Sequence, residues 1–276
     1  MKRMRIVGLC LLAVFAFSAI AASAQASPEM GSCVKLAKAK GKYANAGCTE
    51  LFLKKGKPAS KGAYEWTPGA PPSCIAQKKG EYTDAACTTK SVKAHKGGFE
   101  KEPGPGFTAA GGTATLKTPA FGAPVVCAKS TGTGQITGIT TVEEQFTFEG
   151  CETSAKKCTS AGESSGVIQT PILAGTLSSP KAGEASTAFE SKSGPSGLSS
   201  EFNCEGPQIR TFGYVSGEDF PLNVTSTTGS EKFENGLGEQ DLQTELNAGS
   251  GWLGPAPSLE ETSGSNTYAT AVEIRL

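Results

Sequence analysis

The sequence predicts a mainly β fold, in which small tandem disulfide-bonded repeats are followed by an antiparallel β-sandwich, with a β-barrel as the alternative use of the same strands. Three observations carry this. Short runs alternate apolar and polar residues with period two, and clusters of Gly, Ser, Thr and Pro punctuate them. No segment has a convincing amphipathic helical face, which leaves sheet packed on sheet, or a sheet closed on itself, as the way to bury the apolar sides. The 276 residues include nine cysteines, of which eight remain once the N-terminal segment is set aside, an even number suited to disulfides.

Residues 1–24 read as a signal peptide. Lys2, Arg3 and Arg5 precede an apolar run from Ile6 to Ile20, and Ala22, Ser23 and Ala24 supply a small-residue cleavage site. A membrane-spanning helix needs about 20 apolar residues, and this run is shorter. Export with cleavage is therefore expected, with no membrane insertion afterwards and a secreted or extracellular location. Cys10 leaves with this segment.

A short linker over 25–32 then leads into a basic Cys-containing module, 33–105, and an acidic sandwich-like domain, 106–276. Residues 25–105 hold 14 Lys and no Arg against 7 acids, a net of +7, whereas 106–276 carry a net of −10. The shift falls at Pro103, Gly104, Pro105 and Gly106, a composition suited to a boundary. The basic module contains a duplication: Gly41 to Thr49 match Gly80 to Thr88, and Lys61 to Glu65 match Lys96 to Glu100 in the same order. Each unit reads as a hairpin-like loop in which Gly permits one tight turn, Asn45 or Asp84 supports the next, and a Tyr covers the loop. Units of this size bury little apolar area, so crosslinks are expected to compensate. Local spacing pairs Cys33 with Cys48 and Cys74 with Cys87, and closing a loop of the first size is worth about 3 kcal/mol on the chain-entropy estimate.

Strands are expected in the acidic domain at Thr113–Lys117, Val125–Ala128, Val142–Phe148, Val167–Thr170, Ser200–Cys204 and Ile209–Val215. The clearest alternation is the last, where Tyr268, Thr270, Val272, Ile274 and Leu276 share one face and Glu273 and Arg275 the other. Asp241–Asn247 fits helix or strand, because Leu242 and Leu246 suit either face. Cys127 and Cys204 lie in expected strands and would tie two sheets, while Cys151 and Cys158 would clip a loop.

The run from Cys127 to Gly138, the segment Phe146 to Cys151, and Cys158 to Gly162 together resemble a group of uncharacterised exported proteins of soil actinobacteria. Val272, Glu273 and Ile274 resemble their closing strand, and the Cys-bounded Gly-x-Tyr repeats their variable N-terminal part. The resemblance implies an exported β protein, and it carries over no activity and no site residue.

Motifs for catalysis fail on context. Gly162, Glu163, Ser164, Ser165 and Gly166 satisfy G-x-S-x-G, but the one histidine, His95, lies upstream, where the esterase fold needs it later in the chain. Gly104 to Ala109 imitate a dinucleotide loop with no strand before it. Zinc and calcium lack ligand spacing, since no C-x-x-C pair and no D-x-D loop occurs. No cofactor and no metal are expected.

One enzymatic reading needs only carboxylates, as in a glycoside hydrolase. Glu144 shares strand parity with Val142, Phe146 and Phe148, which would aim it into an apolar face and raise its pKa. The reading favoured for Glu143 and Glu144 is instead a bulge or an edge. Glu201, Glu218 and Asp219 are equally available as a second acid. For binding, Tyr43, Tyr64, Trp66 and Tyr82 lie among lysines, and flat rings with cationic neighbours suit sugars or anionic polymers, or else form the small core of the module. The expected function is a non-catalytic exported protein of the envelope or extracellular space that adheres to cell-wall polymer or extracellular polysaccharide, with no nucleic-acid partner. A carboxylate-dependent hydrolase and a structural surface protein without a discrete ligand are the alternatives.

Overall fold

A computed structural model of the chain describes residues 27–36, 38–68, 74–84, 89–93, 96–101, 106–118, 122–233 and 240–275. The expected signal peptide, His95 and Cys87 lie outside them, so the Cys74–Cys87 pairing does too. Every regular element among the described residues is a strand. The basic module holds β1 (Glu29–Lys35), β2 (Leu53–Lys54), β3 (Lys57–Pro58), β4 (Tyr64–Pro68), β5 (Cys74–Gly80) and β6 (Gly97–Lys101). The acidic part continues with β7 (Gly106–Gly111), β8 (Ala114–Lys117), β9 (Val125–Cys127), β10 (Lys129–Ile136), β11 (Thr141–Glu149), β12 (Glu152–Thr153), β13 (Lys156–Lys157) and β14 (Val167–Gln169). It ends with β15 (Leu173–Ser178), β16 (Ser186–Ser191), β17 (Leu198–Asn203), β18 (Gln208–Phe220), β19 (Ser226–Phe233), β20 (Asp241–Asn247) and β21 (Trp252–Arg275).

Eight of these strands close on themselves. Following the antiparallel pairs, β7 joins β10, then β11, β15, β16, β18, β19 and β21, and β21 returns to β7. The mainly β fold is as expected, and the barrel is the arrangement formed in place of the sandwich. Closure removes the edges a two-sheet sandwich would leave. It depends on β7, whose residues Phe107 to Gly111 pair with Gly264 to Tyr268 across more than half the chain.

The long strands run past the ring and build a second end. Residues 208–212 of β18 pair with β17, whereas residues 214–218 pair with β16. Gly213 sits at the changeover with φ +89, and a Cβ there would overlap the Asp241 carbonyl, so only glycine fits. In β21, Trp252 to Ser258 pair with β20 and Leu259 to Glu261 with β8, before the strand enters the ring. The segment Asp241–Asn247, open between helix and strand in the sequence, is a strand because β18 and β21 flank it on both sides.

Two apolar clusters follow from this shape. The ring encloses Met30, Phe107, Ile136, Val142, Leu173, Phe189, Val215 and Phe233, and the second end encloses Ala114, Val125, Ile168, Phe202 and Ile209 with four cysteines. Large inward residues lie over small ones on neighbouring strands. A Cβ on Gly134 would overlap the Phe107 ring, and one on Gly175 would overlap Val142. Such alternation of large and small is how side chains fit the interior of a narrow barrel.

The four cysteines of the second end join differently from the sequence expectation. Cys127 bonds Cys151 and Cys158 bonds Cys204, not Cys127 with Cys204 and Cys151 with Cys158. Register is the reason. Lys129 faces Glu149 at the open end of the β10–β11 hairpin, so two residues further out Cys127 meets Cys151. Thr159 bridges Asn203, which brings their neighbours Cys158 and Cys204 together. Cys33 and Cys48 are bonded as expected.

Residues 29–32, expected as linker, form the first half of β1, and Met30 is buried in the ring cluster. β1 lies between β21 and β4 and so carries the module onto the barrel. The two matched segments of the module make the same contacts. Tyr43 bridges Tyr64 where Tyr82 bridges Phe99. The Asn45 side chain accepts from the Glu50 amide at 3.1 Å where Asp84 accepts from the Thr89 amide at 2.6 Å.

Candidate interior binding site

The barrel interior brings together three carboxyls, a group of phenylalanines and a cavity. β11 supplies the first acid by its parity. Val142, Glu144, Phe146 and Phe148 point inward, while Glu143 turns out to an ion pair with Lys192 at 2.7 Å. Glu144 is 1% exposed, and neither of its buried carboxylate oxygens has a hydrogen-bond partner. The bulge or edge favoured from sequence is therefore corrected. The β10–β11 register runs unbroken from Lys129–Glu149 to Ile136–Val142, and Glu144 occupies an interior position within it. Space for its carboxyl comes from Gly132 on β10, where a Cβ would overlap Glu144 Oε1.

β18 and β19 supply the other two. Asp219 and Glu231 face each other in the β18–β19 register, and they are 6% and 5% exposed. Thr187 of β16 donates its hydroxyl to Asp219 Oδ2 at 2.9 Å. Gly217 leaves room for Glu231, since a Cβ there would lie 2.7 Å from Glu231 Cγ. Burial pushes the Glu144 carboxyl up from its ordinary 4.5 to about 8, and the charge of Asp219 adds to the rise. Burial likewise raises Asp219 from 3.8 to about 7; the Thr187 hydroxyl opposes the rise and Glu218 adds to it. The two acids titrate as a coupled pair.

Beside the acids, Phe146, Phe189 and Phe233 form an aromatic cluster. Phe146 meets Phe189 edge-on at 5.2 Å between centroids and Phe233 at 6.3 Å, the geometry that ring quadrupoles favour. These rings, with Phe148 and Phe202, line a cavity of about 100 Å³ between the two apolar clusters. Its polar lining includes Glu231, Asn266, Ser200 and Thr211. Ser200 and Thr211 hydroxyls bond each other at 2.7 Å, and Ser199 donates to the Gly213 carbonyl at 3.1 Å. Hydroxyls on the wall are thus satisfied largely within the protein, and the cavity presents mostly apolar surface.

The other acids weighed from sequence lie elsewhere. Glu201 takes an ion pair from Arg210 at 3.3 Å, about a third of each side chain being exposed. Arg210 stacks on Trp252 at 4.0 Å from its centroid. Ser164 of the G-x-S-x-G motif sits on an exposed turn between strands, without the helix an esterase elbow requires. Among the described residues no group of three or more His, Cys, Asp or Glu side chains is placed to hold a metal ion, and no helix is long and apolar enough to cross a membrane.

Three of the four aromatic residues proposed for polymer binding lie together, where the module meets the barrel. Arg275, at the end of β21, lies 4.3 Å from the Trp66 ring centroid and 5.4 Å from that of Tyr43. It also donates to Tyr43 Oη at 3.1 Å and to the Cys48 carbonyl at 3.2 Å. Tyr64 is held by its backbone bridge to Tyr43, and all three rings are half-buried. Tyr82 lies in the second segment, with the Lys90 ammonium 5.8 Å from its ring.

Fold and site together define a disulfide-bonded eight-stranded β-barrel with an apolar internal cavity and a buried acid cluster beside it. No protein family, curated protein or solved structure matches this chain.

Proposed function

We propose that this is an exported, non-catalytic binding protein that takes a small, largely apolar molecule into its barrel. The cavity carries the reading. Narrow barrels of eight strands are either filled by side chains or hold one small ligand, and here five phenylalanines surround unfilled space of about 100 Å³. An engineered apolar cavity of about 150 Å³ stays dry and takes up benzene or xenon. Export is supported by the signal-like segment 1–24 and by the three disulfides among the described residues, which persist in an oxidising compartment.

The alternatives have less support. A glycoside hydrolase works on a polymer laid between two accessible acids, yet Glu144 and Asp219 are 1% and 6% exposed. Polymer adhesion through Tyr43, Tyr64 and Trp66 competes with Arg275, which already occupies two of the rings.

Indole serves as a neutral test probe. A ligand bound only by the folded state raises the melting temperature, and the rise grows with the logarithm of ligand concentration above Kd. Indole is expected to stabilise the wild-type protein in a concentration-dependent way. Ala109→Leu, which extends a side chain from the cavity wall, is expected to abolish that shift. A wild-type melting temperature indifferent to indole, toluene and 2-phenylethanol alike would remove the cavity reading.

A further inference from the structure

We infer that the acid end of the cavity receives a small organic cation, an amine carried on an aromatic-sized apolar body. The inference rests on the cavity reading and specifies its guest. Glu144, Asp219 and Glu231 all lie inside the barrel, and among the described residues no buried side chain is basic. Burying a carboxyl such as that of Glu144 without a partner costs several kcal/mol, roughly, and an apolar residue of similar size would fill the same space more cheaply. Yet the wall is shaped around these groups: Gly132 and Gly217 lack a side chain where the Glu144 carboxyl and the Glu231 stem lie.

An independent observation points to a guest. Both oxygens of Glu144 are buried and accept no hydrogen bond, whereas Asp219 has the Thr187 hydroxyl. Leu173, directly opposite Glu144 in the β11–β15 register, lines the cavity, as do Phe146 two residues along β11 and Glu231 itself. An ammonium group entering from the cavity would therefore meet carboxylate acceptors on one side and the faces and edges of Phe146, Phe189 and Phe233 on the other. Carboxylates with aromatic walls are the combination that recognises organic cations in a desolvated site. No described acid cluster is placed to hold a metal ion, and the phenylalanine lining suits an apolar body better than a hydrated ion.

Around Glu144 the charged neighbours are few. β18 contributes Asp219, whose pKa the neighbouring Glu218 charge raises, and β19 contributes Glu231 opposite Asp219. On β10 Gly134 is opposite Glu144 and Gly132 lies against its carboxyl, on β15 Leu173 is opposite, and on β16 Thr187 bonds Asp219; none of these titrates. Burial holds the Glu144 carboxyl largely protonated near neutral pH and the Asp219 carboxyl partly so. Arrival of an ammonium group ionises a carboxyl, and the proton passes to solvent.

Calorimetric titration at pH 8.5 with 2-phenylethylamine, 2-phenylethanol and phenylacetate tests this on the mature protein. The amine is expected to bind about tenfold or more tighter than the alcohol, as charge pairing in a desolvated site implies, and phenylacetate weakest. Glu144→Gln and Glu231→Gln are each expected to remove the preference for amine over alcohol, and cooperative thermal unfolding of each variant reports whether it is folded. Repeating the amine titration at neutral pH in buffers of different ionisation enthalpy should reveal proton release, absent with the alcohol. Equal or tighter binding of the alcohol in the wild type overturns the cation inference and leaves the cavity reading standing. Absence of binding by all three overturns both.

Discussion

The two ends of the barrel solve the same packing problem by opposite means. At the second end Ala114, Val125, Ile168, Phe202 and Ile209 pack around Cys127, Cys151, Cys158 and Cys204, and two disulfides hold four segments in register. In the ring the apolar cluster is larger and includes no disulfide, but Glu144, Asp219 and Glu231 are buried with it. Covalent closure therefore lies where no acid is buried, and the acids lie where packing alone must hold them. Of these acids Glu231 lines the cavity, and the stability that buried acids cost the ring is offset elsewhere in the fold.

Removing a crosslink tests that division most strongly. The Cys158–Cys204 bond spans 46 residues and Cys127–Cys151 spans 24. On the chain-entropy estimate, replacing both members of the longer bond by Ser costs about 4 kcal/mol and of the shorter about 3.5. Denaturant unfolding should show the longer bond to matter more. An equal or reversed ranking would mean that local packing around the sulfurs, rather than loop closure, sets their contribution.

A smaller effect comes from the acid end. Folding raises the Glu144 pKa from 4.5 to about 8, so the folded state keeps a proton that the unfolded chain has released across that interval. Stability is then greatest below about pH 4.5, falls as pH rises towards 8, and levels off beyond it. Asp219 contributes the same sign between 3.8 and about 7. Glu144→Gln should flatten most of this slope and raise stability at pH 8 by roughly 2–3 kcal/mol, allowing for the coupling between the two acids. Unfolding curves at pH 5, 7 and 8.5 decide the matter, and a wild-type protein that gains stability across this range contradicts the buried protonated acids.

How far the sequence foretold this contrast depends on what each strand buries. β11, the first part of β18 and the end of β21 alternate large apolar residues, and they were legible. β10, with the sequence KSTGTGQI, was not, because its inward residues include Gly132 and Gly134, which leave space for the Glu144 carboxyl and the Phe107 ring. β15, β16 and β19 hide for the same reason, since Gly, Ser and Thr alternate with few large side chains. Barrel closure was illegible because it joins β7 to the distant β21, and a six-residue GFTAAG run after a Pro/Gly stretch gives no strand signal. For the site, parity did place Glu144 inward, and the local register shifts common in such strands argued the other way. Parity also separates the remaining acids: Val215 and Asp219 are buried on β18 while Glu218 is not. That signal was available for choosing Asp219 among three equal candidates. Glu231 lacked any signal, since β19 itself was not visible. Disulfide pairing needed the β10–β11 register, which puts Cys127 and Cys151 level only once Lys129 is known to face Glu149.

The smallest predicted effect asks whether the glycine in that unreadable strand is there for the acid. Alanine is ordinarily no worse than glycine within a strand, because glycine loses more conformational freedom on folding and packs nothing. At position 132 the added Cβ overlaps Glu144 Oε1 and comes to 3.0 Å from the Ala109 Cβ. Gly132→Ala alone should therefore destabilise by about 1–2 kcal/mol through overpacking. In a Glu144→Ala background the first overlap is gone and only the Ala109 contact remains, so the cost of the same substitution should fall by about 1 kcal/mol, a coupling large enough for a double-mutant cycle to resolve. Additive costs would mean that Gly132 answers to Ala109 and the strand backbone rather than to the carboxyl. Coupling of the expected sign would tie the hidden strand to the buried acid, making the bareness of β10 part of how the ring accommodates a charge that the disulfide end never has to hold.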